Sequence, residues 1–331
     1  MDRQTSSSKA LVVGMYTVSM LIAALWPVAA VGFGLTEAIW LTTGIGTMLS
    51  GSVHLAFAKI WSPKTFADRR MWRTARQTVA GRKTYLLPVA SSAVEDLSYL
   101  MALRLIDPTV AQSILRFWPV AYSVWLWRTA KDRFRLSKAA IMGIATACLG
   151  AALVVIAAAG AEIGGGFYLL AGIGLIALTI AAIASKSQEI ALVAEVGRRL
   201  GWAEKNVKQE QSLSIALSGG RNLLIGLLIL PPALLLTSTD LPASFWWGNL
   251  LFGGVLWPAS FILARYAKFL NSDLGLNSVQ SAGSLATLGF AQFFGGVMVD
   301  NIWLLVAGMV FISLGSFITL IKHRSHLPHR R

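Results

Sequence analysis

Residues 139–159 read AAIMGIATACLGAALVVIAAA, an apolar run without a charged side chain. A helix rises about 1.5 Å per residue, so a run of this length crosses the roughly 30 Å of a bilayer core. Cutting the chain wherever charges or turn residues interrupt comparable runs adds 10–31, 37–58, 84–104, 108–127, 164–185, 212–236, 243–264, 275–298 and 302–321. These ten spans predict an all-α polytopic membrane protein. The N-terminal run is long and nine spans follow it, which predicts a retained helix and not a leader.

Composition agrees with this reading. The 331 residues are 55% hydrophobic and 13% charged, whereas a soluble domain carries about a quarter charged residues. That excludes an ordinary soluble enzyme and a disordered chain. The lone Cys148 rules out an internal disulfide and a cysteine metal cage. A net charge of +14, from 29 basic against 15 acidic residues, would suggest nucleic acid in a soluble chain.

Sorting the basic residues by side removes that suggestion. With the N-terminus inside, 26 of the 29 fall in cytoplasmic segments, and only Arg104, Arg116 and Arg221 do not. The outer loops carry Glu37, Asp107, Glu162, Asp240 and Asp300. The positive-inside rule therefore predicts both termini cytoplasmic, a multi-pass protein of the plasma membrane, with the bilayer and not nucleic acid as its large partner. Trp40, Trp246, Trp247 and Trp303 fall at outer edges, and Trp61, Trp125 and Trp127 at inner ones, as interfacial anchors do. In the longest inner loop, Met71, Trp72, Ala75 and Val79 recur at helical spacing among Arg69, Arg70, Arg73 and Arg76. That pattern predicts either a short interfacial helix against anionic lipid or a solvated basic loop. The histidines of the tail from His323 to Arg331 are not read as a metal site, and no cofactor is expected.

An internal repeat gives the architecture. Ala111-Gln112-Ser113 followed by Pro119 corresponds to Val279-Gln280-Ser281 followed by Thr287. Gly143, Leu149, Gly150 and Ile156 recur as Gly308, Leu314, Gly315 and Ile321. The order implies two five-helix halves, residues 1–160 and 161–331. An odd number of crossings inverts the second half against the first, the plan of many secondary transporters with a site at the midplane.

On these residues the chain resembles the drug/metabolite transporter superfamily in its ten-helix EamA-type form. The resemblance rests on Ala102-Leu103-Arg104, the turn Asp107-Pro108, Val110-Ala111, Trp118-Pro119, and the Gly and Leu-Gly pattern of the fifth and tenth spans. It implies an exporter of amino acids, other metabolites or drugs with a central cavity between the halves. Trp118-Pro119 is similar to the aromatic amino-acid exporter branch. Two features depart from the family: Thr287 stands where the second repeat often has proline, and the basic loop 59–83 is long.

Charged side chains inside a bilayer cost roughly 2.5–3.5 kcal/mol each and mark functional sites. Glu95, Asp96 and Arg116 are the clear cases. Glu95 precedes Arg104 by nine residues and Arg116 follows Asp107 by nine, so both lie roughly 13 Å from the outer boundary. A tight turn joins their helices, which predicts an ion pair of Arg116 with Glu95 or Asp96. Ser91, Glu95 and Ser98 form one stripe with Asp96 and Tyr99 beside it. Gln112 and Arg116 are four apart on the next helix, and Asn277, either Gln280 or Ser281, and Ser284 add polar groups from the ninth span. Either this is a buried pair fixing a hairpin, or it handles solute. Two adjacent carboxylates exceed what one arginine neutralises, so Glu95 and Asp96 are also the proton-coupling candidates. For an amino acid, Arg116 takes the carboxylate and an acid the ammonium.

Trp-Pro occurs at Trp26-Pro27, Trp118-Pro119 and Trp257-Pro258. Each proline removes the helix bond to the carbonyl four residues back, making Pro27, Pro119 and Pro258 hinge candidates. Trp118 and Trp257 lie deep enough to stack a planar solute. Arg221 reads as mainly structural, and His54 lies near an inner helix end. The expected activity is therefore export of a small metabolite by alternating access, with a monomer or homodimer as the working unit. Cationic drug efflux is the alternative. An intramembrane enzyme lacks its motifs, HExxH, GxSxG or a phosphate loop, and a membrane-embedded regulator would need no polar midplane.

Overall fold

The computed structural model describes residues 3–80, 86–129, 137–159, 166–185, 187–202, 207–237, 240–270, 282–294, 299 and 301–321. Among them the regular structure is helical, without a strand. In chain order the helices are α1 (Arg3–Gly32), α2 (Ile39–Trp61), α3 (Pro63–Phe66), α4 (Arg69–Ala80), α5 (Leu86–Leu105), α6 (Pro108–Leu115), α7 (Trp118–Thr129) and α8 (Lys138–Ala159). There follow α9 (Gly166–Ser185), α10 (Ser187–Arg199), α11 (Val207–Leu236), α12 (Ala243–Leu251), a π-helical turn (Phe252–Leu256), α13 (Trp257–Leu270), α14 (Gly283–Phe294) and α15 (Ile302–Ile321).

Six helical stretches are long and apolar enough to cross a membrane: Lys9–Gly32, Lys138–Ala159, Gly166–Ser185, Lys208–Leu236, Ala243–Ala267 and Ile302–Thr319. They answer to the first, fifth, sixth, seventh, eighth and tenth expected spans. The others are more polar or divided. The fourth is split into α6 and α7, and the flanks of α14 lie outside the described residues, as do Glu162, Asp300 and the histidine-bearing tail. Large apolar side chains stand exposed on these helices, among them Leu235, Leu236, Phe293 and Phe294. Trp40, Trp246, Trp247, Trp303 and Trp127 are exposed too, an arrangement that suits hydrocarbon and headgroup better than water.

Local chemistry sets the helix ends. Asp107 caps α6, its Oδ1 accepting from Thr109 N at 2.7 Å, and Pro108 occupies the first helical position, where its missing N–H costs nothing. Asp68 caps α4 through Arg70 N at 2.8 Å, and Asn301 caps α15 through Leu304 N at 3.0 Å. Asp107→Ala is expected to cost about 1 kcal/mol, as a lost cap does. The check is the melting temperature of the purified protein, with Asp107→Asn recovering most of the loss.

The chain forms two compact units. One comprises Met1–Gly32, Ser98–Ala184 and Asp273–Arg331; the other comprises Phe33–Leu97 and Ser185–Ser272. In the first, α8 packs lengthwise on α15, and α1, α6 and α14 pack together beside them. A Cβ at Gly150 would lie 2.6 Å from the Gly308 carbonyl oxygen, and one at Gly143 would lie 2.7 Å from that of Gly315. The glycines related by the repeat thus face one another, with the order reversed because the helices run antiparallel. Leu149, Ile156 and Leu314 point outward and are exposed.

The second unit uses the same device. Its long contact is α2 on α11. A Cβ at Gly51 would lie 2.8 Å from the Gly219 carbonyl, and one at Gly226 would lie 3.0 Å from that of Gly44. Close backbone approach lets two apolar helices gain dispersion contact and Cα–H···O contacts where a bilayer offers no hydrophobic drive.

The basic loop contains the helix α4, and its apolar stripe is covered by protein. Met71 and Ala75 are buried with Val193 and Val196 of α10 and Leu213 and Leu217 of α11. Trp72 packs edge-on against Phe66 and donates from Nε1 to the Phe66 carbonyl at 2.7 Å. The expectation that this stripe enters lipid is therefore corrected, because α10, which reads as a polar loop, supplies its partner. Arg69, Arg70, Arg73 and Arg76 remain exposed on the other side.

Candidate functional site

The polar centre of the first unit forms where the fourth span breaks. Helix α6 ends at Leu115, Arg116 is its C-cap, and α7 begins at Trp118, so Trp118-Pro119 opens the second segment. Pro119 cannot donate to the Leu115 carbonyl. Across the break, Ser316 Oγ of α15 donates to the Arg116 carbonyl at 3.2 Å, which satisfies one acceptor that a continuous helix would have paired. Ser123 Oγ donates to the Pro119 carbonyl at 2.9 Å.

Arg116 is only 8% exposed. Its Nε and Nη2 are buried and find no hydrogen-bond partner among the described residues. The guanidinium is accommodated by a glycine: a Cβ at Gly283 would meet Nη2 and would lie 2.5 Å from Cζ and 2.8 Å from Nε. Ser284, the next residue, is fully buried with Oγ unpartnered among the described residues.

Tyr99 and Gln112 join this centre. The Tyr99 hydroxyl donates to Gln112 Oε1 at 2.7 Å, and both residues are buried. Tyr99 also lies within electrostatic reach of Arg116. One position back, Ser98 Oγ is 2.7 Å from Thr179 Oγ1. Thr179 donates to the Leu175 carbonyl, so Ser98 is the donor in their pair. Thr287 Oγ1 lies 2.9 Å from both the Gly283 and Ala24 carbonyls. It ties α14 to α1 just before Trp26-Pro27, and Pro27 itself sits inside the unbroken helix α1. Trp118 is half-buried, 6.3 Å from the ring of Tyr122.

The remaining candidates lie elsewhere. Gln280, with Asn277 and Ser281, falls outside the described residues. Glu95, Asp96 and Trp257 belong to the second unit. Glu95 and Asp96 are half-buried on α5, a turn beyond Ser91, which accepts from Ser185 Oγ at 2.5 Å. Trp257 follows the π-helical turn and is 38% exposed; Pro258 comes next, so the lost helix bond falls within that turn at Gly254. His54 is buried against Phe261 with ring centroids 4.7 Å apart, and Arg265 Cζ lies 4.9 Å from the Phe261 centroid. Arg221 is buried and donates from Nη2 to Ser218 Oγ at 3.0 Å.

Sequence reasoning missed Gly283, Thr179 and Ser316. Nothing local distinguishes a glycine that makes room for an arginine from one that merely packs helices.

No protein-family model matches this sequence, and no curated protein is significantly similar to it. A solved structure described only as "Crystal structure of protein" shares the fold with a TM-score of 0.60, over 96% of this chain and 99% of its own, at 15% identity. At that identity the likeness carries the fold alone.

Proposed function

We propose that the chain is a secondary transporter that exports a small metabolite, an amino acid or a related compound, from a bacterial cell across its inner membrane. In this reading the ten spans form two inverted five-helix repeats with both termini cytoplasmic, and the repeats rock to give alternating access to a midplane cavity. Tyr99, Gln112, Arg116, Trp118 and Ser284 of the first unit are the proposed solute contacts, and Glu95 and Asp96 on α5 are the proposed proton carriers.

The observation that carries the proposal is Arg116. A guanidinium held inside an apolar span, with two donors unpaired among the described residues, is expensive in a protein whose only task is to fold. It sits at a broken helix, the place where transporters build substrate sites from half-helix ends and freed backbone groups. The glycine-paired helices support the inverted repeat, since α8 with α15 and α2 with α11 each join a helix of the first half to one of the second, antiparallel.

Counterflow tests it. Proteoliposomes preloaded with unlabelled amino acids are expected to take up the labelled compound several-fold faster than protein-free vesicles. Equal rates for all amino acids and for cationic dyes would overturn transport. Uptake of the dyes alone would leave efflux of cations as the activity.

A further inference from the structure

We infer that Arg116 is the receptor for a carboxylate on the transported solute, gripped side-on in the plane of its guanidinium. The inference rests on the transport reading and narrows it to solutes that carry this group.

The two unpartnered nitrogens are not an arbitrary pair. Nε and Nη2 form one edge of the guanidinium, and their N–H bonds run parallel, spaced to match the two oxygens of a carboxylate. Both are buried, and neither finds a partner among the described residues. Buried polar groups in native structures are almost always paired, and an orphaned one points to a missing partner. Two orphans on one fork point to a bidentate one.

The surroundings fix the fork without filling it. The absent Cβ of Gly283 would sit at similar distances from Cζ and the two nitrogens. The glycine therefore makes room for this edge of the guanidinium, and a larger residue there would displace it. The Arg116 carbonyl is held by Ser316 Oγ, which anchors the residue where α6 ends. The Tyr99 hydroxyl donates to Gln112 Oε1, and neither oxygen accepts from Nε or Nη2. Ser284 Oγ, next in sequence to Gly283, is a buried hydroxyl without a partner among the described residues. A compound with only a positive charge meets repulsion here. A zwitterion meets a matched fork.

The test uses matched probes on the purified full chain: phenylalanine, leucine, threonine and glutamine, each as the free acid and as the carboxamide. At least one free acid is expected to raise the melting temperature in the millimolar range, and its carboxamide is expected to bind at least tenfold more weakly. Arg116→Gln removes the difference between acid and amide, and Arg116→Lys keeps part of it. Should Arg116→Gln fail to fold, Gly283→Ala, which keeps the charge but displaces the fork, is expected to weaken the acid tenfold and leave the amide unchanged. The inference is overturned if no free acid binds, if acid and amide bind alike, or if Arg116→Gln and Gly283→Ala both bind the acid as the parent does. Counterflow separates this from the parent reading. Acids that bind at Arg116 without moving overturn transport alone, whereas amides that move as fast as acids overturn the carboxylate receptor alone.

Discussion

Gly150→Ala lowers the melting temperature of the protein, and Gly150→Ala with Gly308→Ala prevents its recovery in folded form. Alanine for glycine in a helix normally stabilises by about 0.5–1 kcal/mol, because the unfolded chain loses freedom. Here the sign reverses. The new methyl at Gly150 would lie 2.6 Å from both the Gly308 carbonyl oxygen and the Ile312 amide nitrogen, and backbone cannot step aside as a side chain can. The two helices must separate along a contact that runs most of their length, so the cost is that of an overpacked core, about 1–3 kcal/mol for the single change. The double variant strikes the same crossing from both sides and exceeds the sum. Gly51→Ala in α2 is expected to behave like Gly150→Ala, since its methyl would fall 2.6 Å from the Leu223 amide nitrogen. Gly174→Ala in α9, with nothing within 4 Å, is the control and gains stability. Melting curves of the four single and double variants decide it. A Gly150→Ala protein as stable as Gly174→Ala would mean that α8 and α15 do not cross at these glycines.

These glycines also show where sequence reading stops. Gly143 and Gly150 were visible as a pattern repeated at Gly308 and Gly315, because leucine and isoleucine recur with them. That the two copies lie on each other was not visible, because a spacing of seven states only that both face one side. Gly44, Gly51, Gly219 and Gly226 had no such escort among their apolar neighbours. Asp107-Pro108 was legible as a helix start because capping is a local matter. The stripe of Met71 and Ala75 was legible as a helix face, but its cover, Val193 and Val196, sits in a segment whose charges read as loop. At the site, Arg116 announced itself by cost alone, since a charge in an apolar run has few innocent explanations. Gly283 announced nothing, because the absence of a side chain acquires meaning only when the guanidinium lies against it.

Glu95→Gln with Asp96→Asn is expected to abolish uptake driven by a pH gradient and to leave a slower counterflow exchange. The two carboxylates are adjacent and half-buried on α5, which also carries Ser91, Ser92, Ser98 and Arg104. On the transport reading, two adjacent carboxylates within a span are the groups proposed to carry the coupled proton. A proton bound on one side of the membrane and released on the other is the coupling step that export against a gradient needs. One proton per solute makes a gradient of one pH unit equivalent to about a tenfold concentration ratio, because both correspond to about 1.4 kcal/mol. Proteoliposomes with an acidic lumen therefore accumulate solute up to about tenfold with the parent protein. With the double variant the ratio falls to unity, while exchange at equal pH, which needs no net proton movement, continues at a reduced rate. The single variants assign the role: the acid whose neutralisation alone abolishes accumulation is the carrier, and the other tunes it. Accumulation that survives in the double variant would remove both carboxylates from the coupling step and make the pair a structural feature of α5.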